Sequence, residues 1–431
     1  MTSLPEAGVP QRQRSVSNGP AVLVIGAGIG GLTTALELHR AGLPCRVVES
    51  VSRFAPAGVG INILPHASRQ LGELGLEGKL SQRAVLTRES VFYNRFGQLI
   101  YAEPAGRAAG YPDPQYSIHR ADLHEVLLGA VTERLGAGAV ATGHRVTRVD
   151  QDDRRVVARA ERADGTATDL EADVAIGADG IHSAVRAQFF PDEGPPRYSG
   201  VTMWRGVSAW PPILTGASMI RAGWLATGKL VIYPIRNHAD GQGRQLVNWV
   251  AELETPQRVD RDWTQPGDLK DFLPCFADWR FDWLDVPTLL RASTVLLEYP
   301  MVDAEPLPRW SHGRVTLLGD AAHPMVPRGS NGAGQAILDA RAVADALAAS
   351  PADPAAALAA YDDRRREATA AVVLANRQNP PDAILREVYE RTGDRPFERL
   401  EDYVTVEELA RITENYKRVA GFTLRELQKG Q

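Results

Sequence analysis

The sequence has only 2 cysteines, Cys45 and Cys275, in 431 residues, too few for a disulfide framework or a four-cysteine zinc site. Such cysteine use fits a reducing compartment, so a cytoplasmic location is expected, with both thiols as small buried apolar groups. Long apolar runs are missing too: the run Ala21 to Ile25 breaks at Gly26, and none approaches the roughly 20 residues that span a bilayer. Arg12 and Arg14 ahead of that run imitate a secretion signal. No small-residue cleavage site follows before Glu37, His39 and Arg40, so residues 1–20 read as a disordered tail. Basic charge is not in excess, since Lys plus Arg 48 against Asp plus Glu 53 leaves a net charge of −5. No stretch interleaves basic and aromatic side chains as a phosphate-tracking groove requires, so no nucleic-acid partner is expected.

Several catalytic signatures are also lacking. No H-E-x-x-H occurs, and His119 and His124 fall on different faces of a helix, so no metal site is expected. No G-x-S-x-G elbow offers a serine nucleophile for acyl transfer. Gly223 to Lys229 imitates a P-loop, but Leu230 stands where a magnesium-ligating Ser or Thr is needed. The residues that follow, KLVIYPI, read as a strand, so the match is fortuitous.

What is present is an ordinary globular composition, 44% hydrophobic and 23% charged, in a chain long enough for at least two packing units. The run 21–25 predicts a strand, Leu32, Ala35, Leu36 and Leu38 a helix over 30–41 ended by Gly42, and 45–50 a second strand, together a βαβ unit. A helix over 122–135, capped by Asp122, leads into strands at 145–150 and 155–161 with a turn at Asp164-Gly165. Further strands are predicted at 173–177, in a β-rich region carrying Trp204, Tyr233 and Trp249, and at 314–319, with helices near 333–349 and 355–378. The fold class read from this order is α/β. A Rossmann-like domain, 21–197 completed by 304–378, is interleaved with an antiparallel-sheet domain over 198–303 and followed by a helical appendage over 379–431.

Gly26-Ala27-Gly28-Ile29-Gly30-Gly31 is a G-x-G-x-x-G between the first strand and helix, and Glu49 closes the next strand. Gly26 allows the tight turn, Gly28 lets a pyrophosphate approach the positive helix end, Gly31 lets the helix lie on the sheet, and Glu49 accepts from ribose hydroxyls. This motif alone leaves NAD and FAD open. Two more segments each follow a strand: Gly177-Ala178-Asp179-Gly180 with His182, Ser183 and Arg186, and Gly319-Asp320-Ala321-Ala322-His323-Pro324. With them the chain, over about residues 20–378, resembles the flavoprotein aromatic hydroxylases of the p-hydroxybenzoate hydroxylase type.

That resemblance implies an FAD-binding domain, with FAD held and NADH or NADPH as transient reductant. It implies a monooxygenase that uses dioxygen to hydroxylate an electron-rich aromatic or heteroaromatic small molecule through a flavin C4a-hydroperoxide. It sets Gly26, Gly28, Ile29, Gly30, Gly31, Glu49, Arg120, Asp179, Gly180, Gly319, Asp320, Pro327, Gly329, Ser330, Asn331 and Gly332 at the cofactor. Asp320 would take a ribitol hydroxyl, Asp179 and Gly180 would lie near the phosphates, and the PRGSNGAG stretch would lie against the flavin ring. A turn or N-cap role is the plain alternative for Asp179. Closer similarity, in Gly58 to Ile63, 111–120 and 202–207, is to the phenazine hydroxylases of pyocyanin formation, while Asn331 and Leu338 depart from a commoner glycine and acidic residue.

A substrate pocket is expected between Val59, Gly60 and Ile61 and the sheet bearing Trp204 and Tyr233, because aromatic side chains hold a flat apolar ligand well. No catalytic side chain is assigned, since the cofactor carries the chemistry. A halogenase or oxidase on the same fold and a non-catalytic FAD-binding redox sensor stay open as alternatives, as do monomer and homodimer.

Overall fold

Strand Val22–Ile25 is buried along its whole length, as an unbroken apolar run in a parallel sheet must be. In the computed structural model, which describes residues 21–54, 58–256 and 266–429, this strand pairs in parallel with Cys45–Val48 on one side and Val174–Gly177 on the other, and Val315–Leu317 extends the sheet beyond. The expected disordered tail, 1–20, lies outside the described residues. Helix Ile29–Arg40 covers the sheet, and helix Gly332–Ala349, from the far end of the sequence, packs on it. The ends of three parallel strands, each followed by a glycine motif, therefore open on one edge.

An antiparallel meander, His144–Gln151, Val156–Arg162 and Ala167–Ala172, turns at Gly165 with φ +81°. The helix expected to start with an Asp122 cap spans Arg120–Leu135 instead. His119 caps it, its Nδ1 accepting the Ala121 N–H at 3.2 Å, because His119 still has extended backbone. Asp122 lies in the first turn and pairs with Arg236 at 2.6 Å.

The second sheet has seven strands, in the order Ser293–Asp303, Arg197–Trp210, Gln245–Glu254, Gly228–Arg236, Ser218–Trp224, Glu89–Tyr93, Leu99–Pro104. All pairings are antiparallel except that of Ser218–Trp224 with Glu89–Tyr93, and Glu89–Tyr93 and Leu99–Pro104 come from early in the chain. One face buries Trp204 and Trp249 against Phe272, Phe276 and Trp279. The other buries Met203, Met219, Tyr233 and Met301 with Val59 and Val326.

Helices Ala383–Thr392 and Val406–Val419 follow. They bury Leu385, Val388 and Leu409 against Phe92 and Ile100 of the second sheet. A Thr405/Glu408 capping box starts the longer one. The expectation for the cysteines is corrected: Cys45 is half-buried and Cys275 exposed, since the short turn Leu273–Phe276 turns Phe276 inward and its neighbour outward. Among the described residues no helix is long and apolar enough to cross a membrane, and no group of three His, Cys, Asp or Glu side chains stands ready to hold a metal.

Candidate functional site

The three glycine-containing motifs pack directly on one another. A Cβ on Gly26 would fall inside the Ala178 carbonyl, so the first motif rests directly on the second. One on Gly30 would lie 2.9 Å from Leu318 Cδ2, so the helix start rests on the third. Ile29 is buried as the first helical residue. A Cβ on Gly28, by contrast, would meet nothing within 4 Å. That opening at a helix N-terminus, with the exposed Asp320 on the adjoining motif, is space of the kind a dinucleotide pyrophosphate needs.

The acidic residues divide by role. Glu49 Oε2 accepts the Ala27 N–H at 2.8 Å and Oε1 accepts that of Val51 at 2.9 Å, so this half-buried carboxylate also braces the glycine turn. Asp179 Oδ2 accepts the Ala184 N–H at 2.9 Å, which is a helix-start contact of the kind its plain alternative described. Burial pushes its carboxyl up in pKa, opposed by those donors. Gly180 beside it has φ +77°. Gly319, at φ +61°, begins the turn that presents Asp320.

Two connections were not legible in the sequence. Arg186, 5% exposed, donates from Nη1 to the Ala321 and Ala322 carbonyls, each at 2.9 Å, joining the second motif to the third. The fully buried Asp339 receives Gly319 N–H at 3.3 Å, meets His323 Nε2 at 2.6 Å, and pairs with Arg365 at 2.7 Å. Burial alone would raise the Asp339 carboxyl, but His323 and Arg365 hold it below its ordinary value.

The PRGSNGAG stretch forms a loop into helix Gly332–Ala349, with Pro327 exposed, Gly329 at φ +97° and Ser330 at φ +59°. A side chain other than glycine in this left-handed region is strained unless the surroundings hold it. Here the C-terminal segment does so. Asn331 Nδ2 donates to the Tyr416 hydroxyl at 2.9 Å, and that hydroxyl donates to Asn376 Oδ1 at 2.6 Å. Gly332 faces Asp320, whose Oδ1 lies 3.9 Å from where a Cβ would stand.

Of the expected substrate residues, the structure brings Val59, Gly60 and Tyr233 together. Any side chain at Gly60 would press on the Tyr233 ring, and Val59 and Tyr233 share one apolar cluster with Val326, next to the loop. Arg120 begins its helix beside them, its N–H on the Val59 carbonyl at 3.0 Å. Ile61 packs toward the nucleotide-binding core instead. Trp204 is corrected as a neighbour of Tyr233: it lies on the opposite face of the sheet, 5.2 Å from Phe272 in a stacked pair, with Nε1 on Glu298. The missed residue on the Tyr233 face is Arg205, one position further along the strand, which donates to the Gly60 carbonyl at 2.7 Å.

A family model describing the FAD binding domain matches residues 20–209 and 301–376. The chain belongs to this FAD-binding family. Phenazine 1,6-dicarboxylic acid hydroxylase of Lysobacter antibioticus is 45% identical over 92% of this chain and 96% of its own length. A 3-amino-4-hydroxybenzoate 2-monooxygenase of Streptomyces platensis is 37% identical over 90% of this chain and 96% of its own. A solved salicylate hydroxylase substrate complex superposes with a TM-score of 0.72 at 26% identity, covering 95% of this chain and 98% of that one. The protein is thus an FAD-dependent aromatic monooxygenase, and the halogenase, oxidase and sensor alternatives are not favoured. FAD fits the residues present: the flavoprotein has open space at Gly28, an exposed carboxylate at Asp320 and an N-terminal helix end at Gly332 around one strand edge.

Proposed function

We propose that FAD is held by the three motifs, with its pyrophosphate at Gly28, sugar hydroxyls at Glu49 and Asp320, and its ring against the loop from Pro327 to Gly332. The opening at Gly28 beside otherwise close-packed glycines supports this. A charged hydrogen bond contributes about 1.5–3 kcal/mol, so Asp320→Ala is expected to weaken FAD binding about tenfold or more. Because Asp320 is exposed, the melting temperature of the apo-protein is expected to stay at the wild-type value. FAD titration by fluorescence quenching checks this, and unchanged affinity would reject the assignment.

The flavoprotein's substrate is proposed to be a planar heteroaromatic acid of the phenazine type, bound between Val59, Tyr233 and the loop. The observation that carries this is the apolar face formed by Met203, Met219, Tyr233 and Met301, next to guanidinium groups at Arg205 and Arg221. The 45% identical relative named for a phenazine dicarboxylic acid points the same way. FAD, when bound, supplies the redox chemistry by which an aromatic C–H, dioxygen, NAD(P)H and a proton become a phenol, water and NAD(P)+. The protein's own part is to orient the ring and exclude water. Burial raises the pKa of Tyr233, with Arg205 opposing, so its hydroxyl stays protonated and available as a hydrogen-bond donor. Reduction by NADH or NADPH is expected to be slow alone and faster with phenazine-1-carboxylate, giving a product one oxygen heavier that carries label from 18O2. Neither acceleration nor labelled product with any phenazine acid would sink the reading.

A further inference from the structure

A cavity of about 500 Å³ lies where three strands of the second sheet, Arg197–Trp210, Ser218–Trp224 and Gln245–Glu254, meet helices Pro354–Gln378 and Ala383–Thr392 and the loop that bears Arg328. Small-molecule sites occupy about 300–1,000 Å³, and neither the glycine motifs nor the aromatic face at Tyr233 accounts for this one. Its walls carry Ser199, Trp224, Glu254, Arg328, Arg377 and Arg386. Val201, also in the wall, belongs to the same apolar cluster as Tyr233 and Val326, so the cavity adjoins the ring site proposed above.

The three guanidiniums of the wall are not equivalent. Arg377 is occupied by Asp303 at 2.7 Å, Glu305 at 2.9 Å and the Ala304 carbonyl at 2.8 Å, and Arg197 meets the same two carboxylates at 3.3 and 3.9 Å. Arg386 has one long hydrogen bond, to the Gln378 carbonyl at 3.4 Å, and no ion pair among the described residues. Arg328 has no ion pair among them either, and its Nε is buried without a hydrogen-bond partner, as is the Ser199 hydroxyl. Asp382 feels the Arg328 charge but is already held by Lys229 and Arg221, in a buried cluster with Glu252 whose charges cancel. The one carboxylate in the wall, Glu254, is exposed at its strand end. Around the cavity, then, four guanidiniums face three carboxylates, and the two guanidiniums without ion pairs are left for an anion. Their planar forks match phosphate oxygens two at a time.

The reaction consumes a second dinucleotide beside FAD, NADH or NADPH, yet the sequence has no second G-x-G-x-x-G to bind it. The cavity offers what such a ligand requires: two guanidiniums for its diphosphate, the half-buried indole of Trp224 for a base, and a place beside the loop from Pro327 to Gly332. We propose that the diphosphate of the nicotinamide dinucleotide is taken between Arg328 and Arg386, with one of its bases on Trp224. The inference rests on the placement of the flavin ring at that loop. It gives helix Ala383–Thr392 a part in admitting the reductant.

FAD-loaded enzyme with phenazine-1-carboxylate is mixed rapidly with NADH or NADPH, and flavin bleaching gives an apparent Kd and a limiting rate for wild type, Arg386→Gln, Arg328→Gln and Trp224→Leu. Each arginine variant is expected to raise the Kd of the better reductant about tenfold or more, the limiting rate moving less than the Kd. Trp224→Leu is expected to raise it about five- to tenfold. Arg386→Lys keeps the charge without the fork and is expected to recover part of the loss. Calorimetry with ADP-ribose, which has the diphosphate but no nicotinamide, is expected to show the same order of losses without any flavin chemistry. An unchanged Kd for both reductants in both arginine variants overturns the proposal. So does an equal weakening of phenazine-1-carboxylate binding, read from flavin absorbance, which would make the cavity the substrate's own entrance, and so does loss of FAD from the variants, which would assign the arginines to FAD. If Arg328→Gln does not fold, Arg386→Gln decides by the same criteria. If phenazine-1-carboxylate fails to accelerate reduction of wild type, the substrate reading falls separately, and the variants are compared on reduction by the nicotinamide alone.

Discussion

Gly31→Ala is expected to destabilise the flavoprotein far more than Gly28→Ala, although both residues stand in one glycine motif. A Cβ on Gly31 would fall inside the Gly26 carbonyl and 3.4 Å from Val24 Cγ1. Gly26 has no room to retreat, because it is itself pressed on the Ala178 carbonyl. Overpacking of this kind costs about 1–3 kcal/mol, and more where backbone is the obstacle. Gly28 has φ −72°, which any residue adopts, and open space beyond it. Gly28→Ala is therefore expected to melt like wild type as apo-protein yet bind FAD much more weakly, because the added methyl occupies the approach proposed for the pyrophosphate. Melting curves of the apo-proteins and FAD titrations separate the two effects. A Gly31→Ala protein as stable as wild type would contradict the packing account, and a Gly28→Ala protein with normal FAD affinity would contradict the pyrophosphate placement.

Asp339→Ala should be the most damaging single change to a side chain beneath the cofactor motifs. It would leave Arg365, now 2.7 Å from Asp339, without its buried counter-charge, and would take from His323 and the Gly319 N–H their shared acceptor. Breaking a buried pair from one side costs about 3–5 kcal/mol. Asp339→Asn keeps the shape but not the charge, so it is expected to recover only part of the loss. Because the Gly319 turn presents Asp320, FAD retention should fall along with the melting temperature. Thermal melting with and without added FAD measures both, and wild-type stability in Asp339→Ala would show the network to be dispensable.

Much of the architecture was legible from local pattern. Val22–Ile25 and Val174–Gly177 lie in a parallel sheet covered on both faces, and such strands write themselves as unbroken apolar runs bounded by glycines. The helix start at Arg120 was misplaced because two polar residues near a helix N-terminus, His119 and Asp122, both have capping chemistry, and only the backbone shows which one is outside the helix. The C-terminal helices were expected, but not what they do. Tyr416 reaches the loop at Asn331, and Asp382 reaches Arg221, across sequence separations that no periodicity encodes.

The sequence by itself determined the family, the FAD cofactor and the α/β order. Those depend on consecutive residues at a few strand-to-helix turns, where backbone sterics and the helix end act within one or two turns of chain. Which side chains share the sheet face proposed for the substrate was decided only by the tertiary structure. Trp204 and Tyr233 lie on strands where alternate residues face opposite ways, so Arg205, and not its neighbour Trp204, stands with Tyr233. The buried ionic cluster of Arg221, Lys229, Glu252 and Asp382 likewise exists only because four charged side chains from separate segments meet where water is excluded.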